Sequence, residues 1–183
     1  FAKKTSYNSF NGSSGLQSLY GIIQGGIYKE LRDESIDFNA NNPAFFGLAI
    51  GGSLGNSKKQ MHNIVKYTSN QLDGSKPVHL LGIGDPIDIW NLVEHGIDTF
   101  DCVSPTRLAR HGTALVRTKL GKINIKNLKF KKKLIPIDKN CLCTTCSNYT
   151  LSYLHHLFKS EELVAFQLLT IHNIFFMNNL MKY

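Results

Sequence analysis

Cys141, Cys143 and Cys146 fall within six residues, and a further possible metal ligand, His172, lies downstream of them. Three thiolates that close can wrap a tetrahedral zinc ion with little loop entropy to overcome, and one nitrogen completes the shell. The spacing predicts a structural zinc knot; a disulfide framework rarely clusters three cysteines this way. Spacing alone leaves the fourth ligand open between His155, His156 and His172. A His near a helix start can face back towards a loop, which suits His172 in Thr170-Ile-His-Asn173.

A second cluster lies upstream, in the run from Phe100 to Arg110, FDCVSPTRLAR. Asp101 follows an apolar strand and precedes a Pro turn, where a carboxylate serves as nucleophile, base, metal ligand or turn cap. Arg107 and Arg110 follow closely and suit phosphates or base edges through charge-assisted hydrogen bonds. A carboxylate beside two arginines stays ionised, as a nucleophile must.

The elements that must position these residues alternate in type. Apolar runs at Leu19–Ile23, Phe45–Ile50, Val78–Ile83 and Thr99–Val103 each close on Gly, Pro or a polar residue. Helical patterns follow at Ile27–Phe38, Ser57–Leu72 (Ser57 a suitable N-cap) and Ile87–Gly96. Repeated β-then-α units predict an α/β fold of parallel strands with crossover helices, whose functional groups gather at the C-terminal strand ends. Gln24, Gly52, Asp85 and Asp101 are then expected on one rim. After Arg110 the texture changes. Residues 114–118 and 122–126 read as a short antiparallel pair, and Asn148–Phe158 and Glu161–Met181 as two helices. Asn8–Ser18 reads as a Ser/Gly/Asn-rich surface connection.

The chain has 183 residues, a formal charge of +8 and 42% hydrophobic residues, enough for a real core and suited to a polyanionic partner. Much of the excess charge lies in Lys126–Lys133, KNLKFKKK, which reads either as a lysine-guarded, solubilising strand edge or as a nucleic-acid contact. No uninterrupted run of about 18 apolar residues occurs, so no membrane span is expected. Clustered cysteines and the absence of an export signal point to a reducing, cytoplasmic setting. The chain begins at Phe1, and Phe1-Ala-Lys-Lys-Thr reads like the middle of a helix, which predicts a piece of a longer protein.

The run GIDTFDCVSPTRLARHG, the Ile23-Gln24-Gly25-Gly26 turn, Ile50-Gly51-Gly52, Leu81-Gly-Ile-Gly84 and the CxCxxC…His set closely resemble the tRNA-guanine transglycosylases, the bacterial type most. The resemblance covers nearly the whole chain and corresponds to the C-terminal half of that enzyme. It implies half of a (β/α)8 barrel in residues 1–112 and a zinc-bearing subdomain with C-terminal helices in residues 113–183. The implied reaction exchanges the wobble guanine in a tRNA anticodon loop for a 7-deazaguanine, queuine or its precursor, in queuosine biosynthesis. Asp101 matches the nucleophile that forms a covalent bond to the ribose. Gln24 and Gly52 match base contacts. Gly82, Ile83, Gly84, Asp85, Pro86, Ile87 and Asp88 match the loop that in this family touches RNA, and Thr106, Arg107, Leu108, Ala109 and Arg110 match the segment that reads the flanking bases. Cys141, Cys143, Cys146 and His172 match the ligands of a structural Zn2+. The family works as a homodimer.

The chain also departs from that pattern. The family's N-terminal half, with its Asp-Ser-Gly-Gly motif and a further base-binding Asp, has no counterpart here. Asp98 lies on the strand of Asp101 but three residues away, so it is expected to point elsewhere. After Gly51-Gly52 the family has Leu-Ala-Val-Gly-Glu, whereas this chain has Ser53-Leu54-Gly55-Asn56. Asp85 stands where bacterial members carry Lys. The rival expectation is a non-catalytic, zinc-stabilised tRNA-binding protein or partner subunit.

Overall fold

The computed structural model describes residues 18–119 and 121–182. The reading of Phe1–Thr5 and nearly all of Asn8–Ser18 lies outside the described residues. The chain forms two compact units that meet in sequence between Cys102 and Val103.

The first unit contains four parallel strands, β1 (Tyr20–Ile23), β2 (Gly47–Ile50), β3 (Val78–Leu80) and β4 (Thr99–Phe100), paired in chain order. Three helices, α1 (Lys29–Ala40), α2 (Lys58–Ser69) and α3 (Pro86–Val93), connect them. The strands are shorter than the apolar runs suggest. Ser57 caps α2 by accepting a hydrogen bond from Gln60 N–H at 3.2 Å, and Asp85 caps α3 through Ile87 N–H at 3.3 Å.

Strand alternation sorts the side chains onto two faces. Ile50, Val78 and Leu80 pack with Phe100 on the core face, against Met61, Ile64 and Val65 of α2 and Leu92 of α3. Ile23 and Leu48 pack with Ile36 of α1. The register Ile22↔Ala49↔His79↔Thr99 defines a row on the opposite face. One step further along each strand lie Gln24, Gly51, Leu81 and Asp101. All four follow the C-terminal strand ends; of the residues expected on the rim, Gln24 and Asp101 are in this row, Gly52 follows Gly51, and Asp85 caps α3.

The second unit begins with α4 (Ser104–Arg110), followed by the antiparallel pair β5 (Thr113–Leu115) and β6 (Lys122–Asn124). A single 3-10 turn (Leu128–Phe130), α5 (Thr144–Asn148), α6 (Leu151–Lys159) and α7 (Leu163–Leu180) complete it. Its core joins Ile125, Leu154, Leu157 and Phe158 to Ala165, Leu168 and Leu169 of α7. Residues 128–130 of the lysine stretch turn as a 3-10 helix with Phe130 buried, so this part is not a strand edge, while Lys129 and Lys131–Lys133 are exposed.

Helix α7 reaches the length and composition of a membrane span, with 18 residues at mean hydropathy 1.3. The run-length criterion misses it because Gln167, Thr170, His172 and Asn173 interrupt the apolar residues. Two of those interruptions, His172 and Asn173, are buried and have partners within the unit. Asn173 is fully buried: its Oδ1 accepts from Leu115 N–H at 2.9 Å, and its Nδ2 donates to the carbonyls of Pro105 and Thr113, each at 3.0 Å. One amide therefore satisfies backbone groups of α4 and β5 together. Replacing Asn173 by Leu removes three hydrogen bonds to the backbone and is expected to destabilise the second unit by about 3 kcal/mol. Denaturant unfolding of parent and variant checks this; a loss well under about 1 kcal/mol would mean that water replaces the amide.

Candidate active site and metal centre

At the rim of the first unit, β4 ends at Phe100 and Asp101 is the next residue, its side chain 60% exposed. Oδ1 of Asp101 accepts two hydrogen bonds, from Gly82 N–H at 2.9 Å and from His79 Nε2 at 3.2 Å. Among the described residues no donor reaches Oδ2. The carboxylate is thus pinned through one oxygen while the other stays open to a ligand. Asp98 does point elsewhere, as strand alternation predicts: its carboxylate accepts from Val78 N–H at 2.7 Å, ordering the start of β3.

Gln24 and Gly52, expected to share a ligand, are neighbours. Gly52 has φ +79°, and a Cβ built on it would lie 2.7 Å from Gln24 Oε1. The left-handed backbone selects glycine there, and a side chain would also have to displace the end of the Gln24 amide. Gly84 is also spatially constrained, since a side chain there would run into Cβ of Cys102 beside Asp101. The Gly82–Gly84 turn can thus lie close to β4, which brings the Gly82 N–H onto the carboxylate.

The rest of that loop behaves unevenly. Ile87 is 69% exposed, but Asp88 is only 5% exposed, with its carboxylate taken by Lys58 Nζ at 2.9 Å and His62 Nε2 at 3.0 Å. Asp85 caps α3 and lies 3.8 Å from Lys58 Nζ. Lys58 thus supplies a positive charge beside Asp85, at the position where bacterial relatives were expected to carry Lys. Ile83 and Gly84 are only partly accessible or buried, and Pro86 begins the helix.

Arg32 is a feature the sequence reading missed. It is fully buried in α1, where its Nε donates to the Gly26 carbonyl at 2.8 Å and its Nη2 to the Gly51 carbonyl at 3.0 Å. One guanidinium therefore ties together the two turns that carry Gln24 and Gly52. Its only sequence signal is a cation on the face of α1 that also carries Ile36.

In the second unit, α4 carries Thr106–Arg110. Arg107 and Arg110 are exposed, Thr106 and Leu108 are half-buried, and Ala109 is fully buried in the core. Ala109 therefore packs the helix, while the two arginines present charge to solvent.

Cys141, Cys143, Cys146 and His172 converge, their four potential ligand atoms all lying within 4.8 Å of one another. His172 Nδ1 is 3.7, 3.6 and 3.3 Å from the sulfurs of Cys141, Cys143 and Cys146. A nitrogen and a sulfur sharing one tetrahedral zinc lie about 3.5 Å apart, given bond lengths of about 2.0 and 2.3 Å. The donor set fits such an ion. The Nε2–H of His172 donates to the Leu115 carbonyl at 2.8 Å, which fixes the tautomer and leaves Nδ1 to ligate. Burial lowers the pKa of His172 and so favours the neutral, ligating form. Burial is the main cause that raises the Cys141 and Cys146 thiols. Three thiolates there require a cation between them.

The competing histidines are accounted for. His155 is buried with Nδ1 bonded to the Ile125 carbonyl at 2.8 Å, and His156 is exposed. His172 lies in the middle of α7, not at a helix start, so the expected reason for choosing it is corrected. It reaches the cysteines because α5 packs on α7, with Thr145 Oγ1 donating to the Leu168 carbonyl at 2.6 Å.

A parallel α/β sheet with its polar groups at the C-terminal strand ends in one unit, and a Cys3His metal-type cluster in the other, define the class of protein. The comparisons are specific. The chain matches the family described as queuine tRNA-ribosyltransferase (TGT) over residues 2–183, and it belongs to that family. It is 46% identical over 168 residues to a protein of Roseiflexus sp. (strain RS-1) named queuine tRNA-ribosyltransferase, covering 91% of this chain and 42% of that relative. Proteins of the same name from Fusobacterium nucleatum subsp. nucleatum and Francisella tularensis subsp. novicida (strain U112) are 43% and 48% identical, covering 91% and 90% of this chain and 45% and 44% of theirs. The chain thus spans less than half the length of these relatives, matching their C-terminal part.

Cys143→Ala and His172→Ala are each expected to abolish stoichiometric metal and to lower the melting temperature of the second unit, because a structural metal contributes folding free energy directly. His156→Ala should change neither. Elemental analysis with thermal unfolding checks both; a Cys143 variant with unaltered metal and melting would remove that residue from the site.

Proposed function

We propose that this chain is the C-terminal portion of a tRNA-guanine transglycosylase, which exchanges the wobble guanine of a tRNA anticodon loop for queuine or its precursor. The observation that carries the reading is the Asp101 carboxylate, held through Oδ1 alone at a C-terminal strand end with Oδ2 open. In the proposed mechanism Oδ2 attacks ribose C1′, and the C1′–N9 bond breaks with its electron pair leaving on guanine. A proton must then reach the guanine. The incoming 7-deazaguanine, deprotonated at N9, forms the new bond as the C1′–O bond to Asp101 breaks. Two inversions at one carbon retain its configuration. The target base has to leave its stack to reach the rim.

On this reading Gln24 and Gly52, carried on two turns that Arg32 joins, grip the exchanged base. The accessible part of the segment from Gly82 to Asp88, chiefly Gly82 and Ile87, lies against the RNA, with Gly82 doing so while it holds Asp101. Arg107 and Arg110 contact the nucleotides beside the target, and the exposed lysines of residues 126–133 suit its phosphates. The metal is proposed to be Zn2+, held by Cys141, Cys143, Cys146 and His172. Four protein ligands leave no open position, so its contribution is to the fold.

Four strands in chain order, with their core face on the helices and their C-terminal ends carrying polar groups, support half of a (β/α)8 barrel. Residues 1–112 are proposed as barrel units and 113–183 as the metal-bearing subdomain. The remaining strands and the proton donor for guanine come, on this proposal, from the part of the relatives that this chain does not span. The complete protein is proposed to act as a cytoplasmic homodimer. A non-catalytic tRNA binder has no use for a carboxylate held in this way, and nothing in the rim favours that alternative.

Asp101→Asn is expected to abolish covalent trapping of tRNA by the chain combined with the N-terminal half of a relative, while leaving metal content unchanged. Denaturing electrophoresis of the protein–tRNA adduct checks this. An adduct that survives the substitution would move the nucleophile elsewhere.

A further inference from the structure

His79 belongs to none of the groups assigned above. It sits in the middle of β3, in an otherwise apolar strand between the core residues Val78 and Leu80, with its side chain 23% exposed on the opposite face. The β3–β4 register pairs His79 with Thr99, and alternation places Asp101 on that same side of the sheet. The ring bridges both: Nδ1 lies 2.8 Å from Thr99 Oγ1 and Nε2 lies 3.2 Å from Asp101 Oδ1.

The chemistry of the partners fixes the ring's proton. An ionised carboxylate only accepts hydrogen bonds, so Nε2 must carry the hydrogen it donates to Oδ1. Nδ1 then accepts from the Thr99 hydroxyl when the ring is neutral, or donates to it when the ring is charged, since a hydroxyl does either. The contact to Asp101 therefore survives in both states of the imidazole. Gly82 N–H holds the same oxygen from the backbone. Two donors on one oxygen fix the plane of the carboxylate, which a single backbone contact leaves free to swing.

We propose that His79 is a positioning residue for Asp101: Thr99 orients its ring, and its Nε2–H holds Oδ1 so that Oδ2 faces the ribose carbon. This rests on the reading of Asp101 as the nucleophile. The hydrogen bond also bears on both halves of the exchange. It strengthens when Oδ1 shares the carboxylate charge and weakens when Oδ1 becomes the carbonyl oxygen of the ester. His79 thus helps the carboxylate leave in the second displacement as well as aiming it in the first.

Two measurements test this. In the 183-residue chain, ring 15N shifts should report His79 with hydrogen on Nε2; hydrogen on Nδ1 alone would overturn the proposal whether or not the chain reacts. In the chain combined with the N-terminal half of a relative, His79→Phe should slow tRNA trapping by about 10- to 100-fold, the cost of a misplaced reacting group. His79→Gln, whose amide nitrogen reaches the position of Nε2 and donates there, should restore the rate to within about threefold of the parent. Melting temperature and metal content should match the parent in both variants. A Phe variant that traps at the parental rate, or a Gln variant as slow as Phe, would overturn the proposal. Trapping by Asp101→Asn would instead overturn the reading of Asp101 and leave the His79 tautomer as a separate result.

Discussion

The pairing of β3 with β4 is the constraint on which the proposed chemistry depends. Those strands share only two paired positions, His79 with Thr99 and Leu80 with Phe100. The short ladder nevertheless brings the Gly82 N–H and the His79 ring onto the same oxygen of Asp101. It also directs Leu80 and Phe100 into the apolar layer beneath, so burial of the core face holds the polar face in register. A slip of one residue would send His79 into the core and Leu80 to the rim, at a cost in both apolar burial and polar satisfaction. The packing of the first unit and the aim of its carboxylate are thus one requirement.

The second unit is organised around two consecutive residues of α7. His172 donates to the carbonyl of Leu115 while turning Nδ1 towards three sulfurs, and Asn173 accepts from the N–H of the same Leu115. Both backbone groups of one β5 residue are therefore satisfied by α7 side chains. The metal-type cluster is coupled to the β5–β6 pair through the imidazole, and α4 joins through Asn173 and Pro105. The polar residues in an otherwise apolar helix are explained by this docking, which the composition of α7 alone does not reveal.

What was legible in the sequence follows from what is local. Strand ends at Gly, Pro and polar residues located the rim, and Ser57 announced the start of α2. The cysteine cluster was legible because three ligands on one short loop need no tertiary information. Spacing left the fourth ligand open, because choosing His172 over His155 depends on α5 packing against α7; the family resemblance alone singled it out. Arg32 and His79 were missed for a similar reason. A cation in a polar helix reads as solvated, and a single His in an apolar strand reads as packing, until the turn carbonyls and the neighbouring strand are placed beside them. Asp88 read as part of an exposed loop, whereas Lys58 and His62 of α2 enclose it. Interactions between elements, rather than within them, account for each of these differences.

The most direct test of the account is exchange of labelled guanine into a tRNA with guanosine at the wobble position, catalysed by this chain with the N-terminal half of a relative supplied as a separate polypeptide. The account predicts incorporation by the pair, and none by either half alone. Exchange by the 183-residue chain alone would contradict the claim that the proton donor lies in the part of the relatives beyond this chain. A correctly folded, metal-loaded pair that exchanges nothing would contradict the transglycosylase reading itself.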